Sequence, residues 1–157
     1  LRDLATQEKA FAYEYTGYLA NIHSVTSYFN ANIDMLDSQK FYSLFSPNQK
    51  IYTKVKNEEP TYYAVGSKVS NAQFASGSII EGEVSGSVIS RNTRIKKGSR
   101  VKNSILFPRV LIGENAVVEY AILDKGVEVA ENVTVRGTVD NPVVLKKGEK
   151  VTEDRIQ

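Results

Sequence analysis

From residue 87 to 137 the chain sets a large aliphatic side chain at steps of six, six and five residues, then repeats the cycle: Ile89, Ile95, Val101; Leu106, Ile112, Val118; Leu123, Val129, Val135. The full period is 17 residues, visible when Ser87–Asn103, Ser104–Tyr120 and Ala121–Gly137 are stacked. Two positions before each aliphatic stands a small or branched residue: Ser87, Thr93 and Ser99, then Ser104, Val110 and Ala116, then Ala121, Val127 and Val133. Residues two apart share one face of a strand. Each such pair therefore points inward and the residue between them points out. A helix would need apolar spacing of three and four, which this stretch does not keep. The pattern predicts short strands, three to a coil, stacked as a solenoid.

Gly98, Asn115 and Asn132 fall at one place in their copies. The chain must turn a corner there, and a left-handed backbone costs Gly and Asn least. A sandwich of short strands would also show frequent turn signals, but has no reason to hold a 17-residue register. The pattern resembles the left-handed parallel β-helix of hexapeptide-repeat proteins, a mainly β fold expected here to have about four coils. Its first coil is shortened: Ile80 and Val84 suit inward positions, yet the six-residue step fails between them. Terminal coils are often atypical.

The remainder reads differently. Phe11–Tyr15 and Tyr18–Ile22 look like extended segments joined through Gly17. Ser24 suits an N-cap for a helix to about Leu36, with Val25, Tyr28, Phe29, Asn32, Met35 and Leu36 near helical spacing. A second apolar cluster, Phe41, Tyr42, Leu44 and Phe45, is stopped by Pro47. Ile51–Val55 reads as a strand and Asn57–Pro60 as a turn. About 50 residues are too few to close a core over so much aromatic area alone, so the segment caps the β-helix or belongs to another domain. The expected division is 1–53, an α/β remnant; 54–67, a linker; 68–140, the β-helix; and 141–157, an extension after the Asn141–Pro142 break with room for one strand at Val143–Leu145.

Composition narrows the function. There is no cysteine among the 157 residues, so no disulfide and no thiolate metal site, which fits a reducing, cytoplasmic setting. No apolar run is long enough for a membrane span. The polar start at Leu1-Arg2-Asp3, without Met, suggests a piece of something longer. The single histidine, His23, lies outside the coils. That excludes the interior histidine base of hexapeptide acyltransferases and the three-histidine zinc site of β-helix carbonic anhydrases; no metal site is expected. Net charge is only +2, yet between Glu83 and Glu114 there is no acid and seven cations, Arg91, Arg94, Lys96, Lys97, Arg100, Lys102 and Arg109. Such a patch attracts anions. Nucleic acid would want stacking aromatics among the charges, and Phe107 is the one aromatic there.

Two stretches outside the repeat carry a more specific likeness. Tyr18-Leu19-Ala20-Asn21-Ile22-His23-Ser24 followed by Tyr28-Phe29-Asn30-Ala31-Asn32-Ile33-Asp34-Met35-Leu36, then Ile51-Tyr52-Thr53-Lys54 ahead of Pro60, then Ser104-Ile105-Leu106-Phe107 and Ile112-Gly113-Glu114-Asn115 in the coils, is similar to ADP-glucose pyrophosphorylase, also called glucose-1-phosphate adenylyltransferase. The resemblance spans almost the whole chain. It implies a parent that makes ADP-glucose from ATP and glucose 1-phosphate with magnesium on the way to glycogen. The Gly-rich nucleotide loop of such a parent is absent from this sequence, so no catalytic residue and no cofactor is assigned to this chain. The family's tryptophan-x-aspartate-x-glycine-threonine motif falls on Leu19, Asn21, His23 and Ser24. An amide cannot supply the charge a hard cation favours, so the resemblance implies a regulatory, non-catalytic subunit paired with an active one, with a catalytic subunit of unusual residues as the other reading. Asn21 also suits a strand-to-helix turn without any function. The alternatives are the assembly domain of another sugar-1-phosphate nucleotidyltransferase and a stand-alone interaction module.

The outward positions sharpen this. Val88, Ile105, Ile122 and Val139 stack as an aliphatic ladder at about 4.8 Å per coil, and such ladders tend to be covered, by the aromatic N-terminal segment, another domain or a second subunit. Arg91, Arg94, Lys96, Lys97, Arg100 and Lys102 form a candidate site for an anionic metabolite effector. A solvated basic face is the plainer reading of the same residues. Expected partners are thus subunits of a homo- or hetero-oligomer and an anionic effector, with no nucleic acid and no membrane.

Overall fold

The computed structural model describes residues 11–46, 48, 50–53 and 56–157. Among the described residues, seventeen short strands, all paired in parallel, form three sheets of six, six and five strands. The first face stacks Tyr62–Tyr63, Ile79–Ile80, Arg94–Ile95, Leu111–Ile112, Glu128–Val129 and Lys150–Val151. The second runs from Lys68–Ser70 through Glu83–Ser85, Arg100–Lys102, Val117–Glu119 and Thr134–Arg136 to Arg155–Ile156. The third holds Gln73–Phe74, Val88–Ile89, Ile105–Leu106, Ala121–Leu123 and Val143–Leu145. This is a three-sided parallel β-solenoid.

Ile95, Ile112 and Val129 lie directly above one another in register, and all nine repeat aliphatics are buried. Each contributes about 1.5–3 kcal/mol by leaving water. The small inward positions do a second task. The Ser87 hydroxyl accepts from the Ser104 N–H at 3.0 Å, and the Ser104 hydroxyl accepts from the Ala121 N–H at 3.2 Å. Their burial therefore leaves no donor unpaired. At the corners, Gly98 has φ +74°, Asn115 +57° and Asn132 +60°. The Asn115 side chain lies over Gly98, so that a Cβ there would meet its oxygen at 2.2 Å.

The solenoid is longer than the repeat suggests, about six coils in place of four, because both ends depart from the 17-residue period. Near the start, Ile80 pairs with Ile95 and Val84 with Val69 at offsets of 15. Two residues are missing at the Glu81–Gly82 corner, which is the irregular step between Ile80 and Val84. Near the end, Leu123 pairs with Leu145 at an offset of 22, the five extra residues lying in the corner that contains Asn141–Pro142. Tyr62–Tyr63 of the expected linker, and Lys150–Val151 and Arg155–Ile156 of the expected extension beside the expected strand at Val143–Leu145, are thus strands of the solenoid. Tyr63 and Phe74 meet edge-on at its lower end, ring centroids 5.4 Å apart, beneath Ile80 and Ile89.

Before the solenoid, α1 spans Val25–Asp34 and α2 spans Ser38–Leu44. Ser24 caps α1 through a reciprocal pair with Ser27, and Asp37 caps α2 by accepting from the Gln39 and Lys40 N–H groups. The apolar cluster at Phe41–Phe45 is therefore helical. Phe11–Tyr15, Tyr18–Ile22 and Ile51–Thr53 form no strands, and every described ladder belongs to the solenoid. Pro47, the last two residues of the expected 51–55 strand, and residues 1–10 lie outside the described residues. Among the described residues no helix is long and apolar enough to cross a membrane.

Candidate functional site

The outward ladder of the third face is where the two parts meet. Ile105 is 3% exposed and Ile122 7% exposed because Phe29 of α1, itself 2% exposed, packs on both. Tyr28, Ile33, Phe107 and Tyr120 complete this second core. Burying one phenyl ring of this kind is worth about 2–3 kcal/mol. Hydrogen bonds fasten the helix toward both ends: the Gln73 amide donates to the Met35 carbonyl at 2.6 Å, and the Thr26 hydroxyl donates to the Asp140 carbonyl at 3.0 Å. Asp140 lies in the five-residue insertion, so the break in register supplies an anchor for α1. A third tie binds α1 to α2. Asp34 accepts from the Tyr18 hydroxyl at 3.1 Å and pairs with Lys40, and burial together with the Asp34 carboxylate pushes the Tyr18 phenol up.

The top rung differs from the expected ladder. Val144, not Val139, stands above Ile122 in register. The insertion carries Val139 into the corner, where it is 51% exposed. Val88 at the lower end is half-buried, and Val144 is 46% exposed because α1 does not extend over it. An open groove of about 730 Å³ results, with Tyr28, Phe107, Ile122 and Val144 in its walls and His23 and Ser24 at its rim.

Asn21, His23 and Ser24 are brought together here as the turn that starts α1. The Asn21 carbonyl lies 3.2 Å from His23 Nδ1, the His23 N–H donates to the Ser27 hydroxyl, and Ser24 is the cap. The turn offers an amide, an imidazole and a hydroxyl. That set does not suit a magnesium ion, which favours carboxylate oxygens.

The basic residues do not form one field. The Arg91 guanidinium lies 3.7 Å from Glu58, which also accepts from the Ser76 hydroxyl, so Arg91 holds the chain entering the solenoid. On the second face Glu83 sits beside Lys68 and Arg100, at 2.8 and 3.8 Å. The Lys68 hydrogen bond, then its charge and that of Arg100, hold the Glu83 carboxyl below the usual carboxylate range. Lys102 lies next to Glu119 in register, and Glu119 is bound to Arg136 at 2.7 Å. Lys97 and Arg100 line a notch of about 540 Å³ with Lys68, Glu81, Glu83 and Glu114, where the two-residue shortening indents the corner. Arg94 lies between Ile79 and Leu111 on the first face, with Lys96 just beyond it. The acid-free stretch is acid-free only along the chain; one coil away it is interleaved with glutamates. The offset of 15 from Lys68 to Glu83 and of 17 from Lys102 to Glu119 is the signal that would have located them.

Residues 53–154 match the family described as GlmU-like, C-terminal hexapeptide. The chain is 39% identical over 136 residues to the glycogen biosynthesis protein GlgD of Bacillus subtilis (strain 168), covering 87% of this chain and 40% of that protein. It is 32% identical over 144 residues to the glucose-1-phosphate adenylyltransferase of Bacillus mycoides (strain KBAB4), covering 90% and 38%. It thus spans about two fifths of the length of these relatives. With its coils, corners and matched span in agreement, the chain belongs to the GlmU-like, C-terminal hexapeptide family and is homologous to the C-terminal regions of GlgD and the glucose-1-phosphate adenylyltransferases.

Proposed function

We propose that this chain is the assembly and regulatory module of a cytoplasmic glucose-1-phosphate adenylyltransferase-type protein in glycogen biosynthesis, of the non-catalytic kind, acting on an active partner subunit. The observation that carries the reading is the extent of the match to GlgD. An alignment of 136 of 157 residues takes in α1 as well as the coils, so the helix-on-ladder joint lies within the shared region. The turn at Asn21 and His23 supports the non-catalytic reading, because an amide stands where the resemblance puts a carboxylate. Exposed Leu19, Tyr42 and Phe45 on the segment leading to and following α1 supply apolar surface for the rest of such a protein or for its partner. Magnesium and ATP would belong to that remainder.

Effector sensing by an anionic metabolite is part of this proposal, carried by Lys97, which is exposed and makes no ion pair among the described residues. Arg91 and Arg100 have carboxylate neighbours and serve the architecture first. The test is to assay the full-length protein, alone and mixed with an active glucose-1-phosphate adenylyltransferase, for ADP-glucose formation. The expected result is none alone and an altered rate or effector response in the mixture. Full activity of the protein alone would overturn the non-catalytic reading, and an unaltered mixture would overturn the regulatory one.

A further inference from the structure

The first face of the solenoid carries a charge pattern that reverses sign about its middle. Ile79, Arg94, Leu111, Glu128 and Lys150 stack in register as consecutive outward rungs. Just past the strand ends stand the exposed Glu81 beside Ile79 and the half-buried Lys96 beside Arg94. At the centre stand the half-buried Leu111 and the buried Gly113, and neither is charged. Gly113 is required at that corner, since a Cβ would meet the Glu131 nitrogen at 2.5 Å and the Ala130 carbonyl carbon at 2.6 Å. The middle rung is therefore apolar and without projection beyond the half-buried Leu111. From bottom to top the face reads acid, two bases, apolar centre, acid, base.

Turn a second copy over about a line running along the strand at Leu111. Leu111 then meets Leu111, Arg94 and Lys96 meet the rung of Glu128, and Glu81 meets the rung of Lys150. Every charged rung faces its opposite, which is the self-complementarity a two-fold contact demands. Within one chain Arg94 is flanked by aliphatic rungs on both sides and has no acid within ion-pair distance among the described residues. Glu128 has a neighbour, Lys150 at 3.1 Å, that is mostly exposed and leaves its other side open. Lys96, Leu111, Glu128 and Lys150 already line one shallow cleft of about 200 Å³, so these groups share a surface and are not scattered round the coil.

We infer that the first face is a contact surface for a second copy of this chain, arranged antiparallel about Leu111, with Arg94 and Glu128 as its reciprocal pair. This deepens the assembly role proposed above and rests on it. Five rungs span roughly 20 Å, a patch smaller than a standard interface. The contact is accordingly weak and salt-sensitive, on the order of tens of micromolar at low salt.

The test uses the 157-residue chain in sedimentation equilibrium over a range of concentration and salt. Arg94→Glu and Glu128→Arg each place like charges opposite one another twice per dimer, and each is expected to weaken self-association by about tenfold or more. An equimolar mixture of the two variants restores opposite charges at both contacts, and a heterodimer is expected where neither variant forms a homodimer. Circular dichroism of each variant should match the parent, since both residues face solvent. Self-association that both reversals leave unchanged, or a mixture that stays monomeric, overturns the face while leaving assembly through another surface intact. A parent chain monomeric at every concentration overturns the face as well. If the full-length protein then also fails to bind the active adenylyltransferase, the assembly reading falls with it.

Discussion

The regular middle of the solenoid and its irregular ends are built from the same strands and do different work. Between Ile89 and Val135 the period is unbroken and the interior is aliphatic, and the outward rungs Ile105 and Ile122 seat Phe29 of α1. Where two residues are lost at Glu81–Gly82 the corner becomes a notch lined by charges, and where five are gained near Asp140 the corner reaches out to hold α1. In a stacked fold each coil touches only its neighbours, so a change in one corner leaves the rest of the column in place. The register breaks therefore add a charged notch and an anchor for α1 without disturbing the column between them.

The strongest way to break this comparison is to damage the middle. Ile112→Ala removes most of a buried side chain between Ile95 and Val129, and is expected to cost about 2–5 kcal/mol. Because nearest-neighbour contacts carry a solenoid, the loss should appear in the main urea transition, with protection against hydrogen exchange falling in the coils on either side. A change confined to the strand at residue 112 would mean that the coils are not cooperative.

Phe29→Ala separates the two regions. The ring lies outside the column, over Ile105 and Ile122, so its removal should release α1 while the coils keep their own transition. We expect exchange protection of residues 25–34 to fall by about two orders of magnitude, matching roughly 2–3 kcal/mol of lost burial, with a shift of the coil transition below about 1 kcal/mol. Equal loss in both would show that helix and column fold as one unit, and the distinction between them would go.

These two positions also mark how far the sequence alone reaches. Ile112 is legible because its neighbours 17 residues away on either side repeat both its type and its partner two positions earlier. The covering of Ile105 and Ile122 is legible in part: β-branched and aliphatic residues on an outward rung call for a cover, and the Ser24 cap with the apolar spacing after it defines the helix that provides one. The identity of the top rung is not legible. Periodicity counts residues, and nothing in a count marks Thr138–Pro142 as excess until Val144 is seen above Ile122. Nor does a linear scan show that Arg100 and Lys102 face acids, since Glu83 and Glu119 reach them across the coil and not along it.

That last point gives the finest test, at a glutamate the shortened corner brings beside two cations. Glu83 has its folded-state pKa lowered by the Lys68 hydrogen bond first and by the charges of Lys68 and Arg100. A carboxyl with a depressed folded pKa binds fewer protons folded than unfolded, so its stabilising contribution is present at neutral pH. It declines as pH falls below the ordinary glutamate value and is gone below the folded one. Glu83→Gln should therefore lower the urea midpoint slightly at pH 7, by a gap that shrinks steadily as pH falls below the ordinary glutamate value, and the gap at pH 7 should narrow in high salt because all three groups are solvated. Ile112→Ala should show no such pH dependence. A Glu83→Gln effect that persists in acid would mean that the side chain acts through packing, and the notch would then have to be read as a structural corner like those of the middle coils.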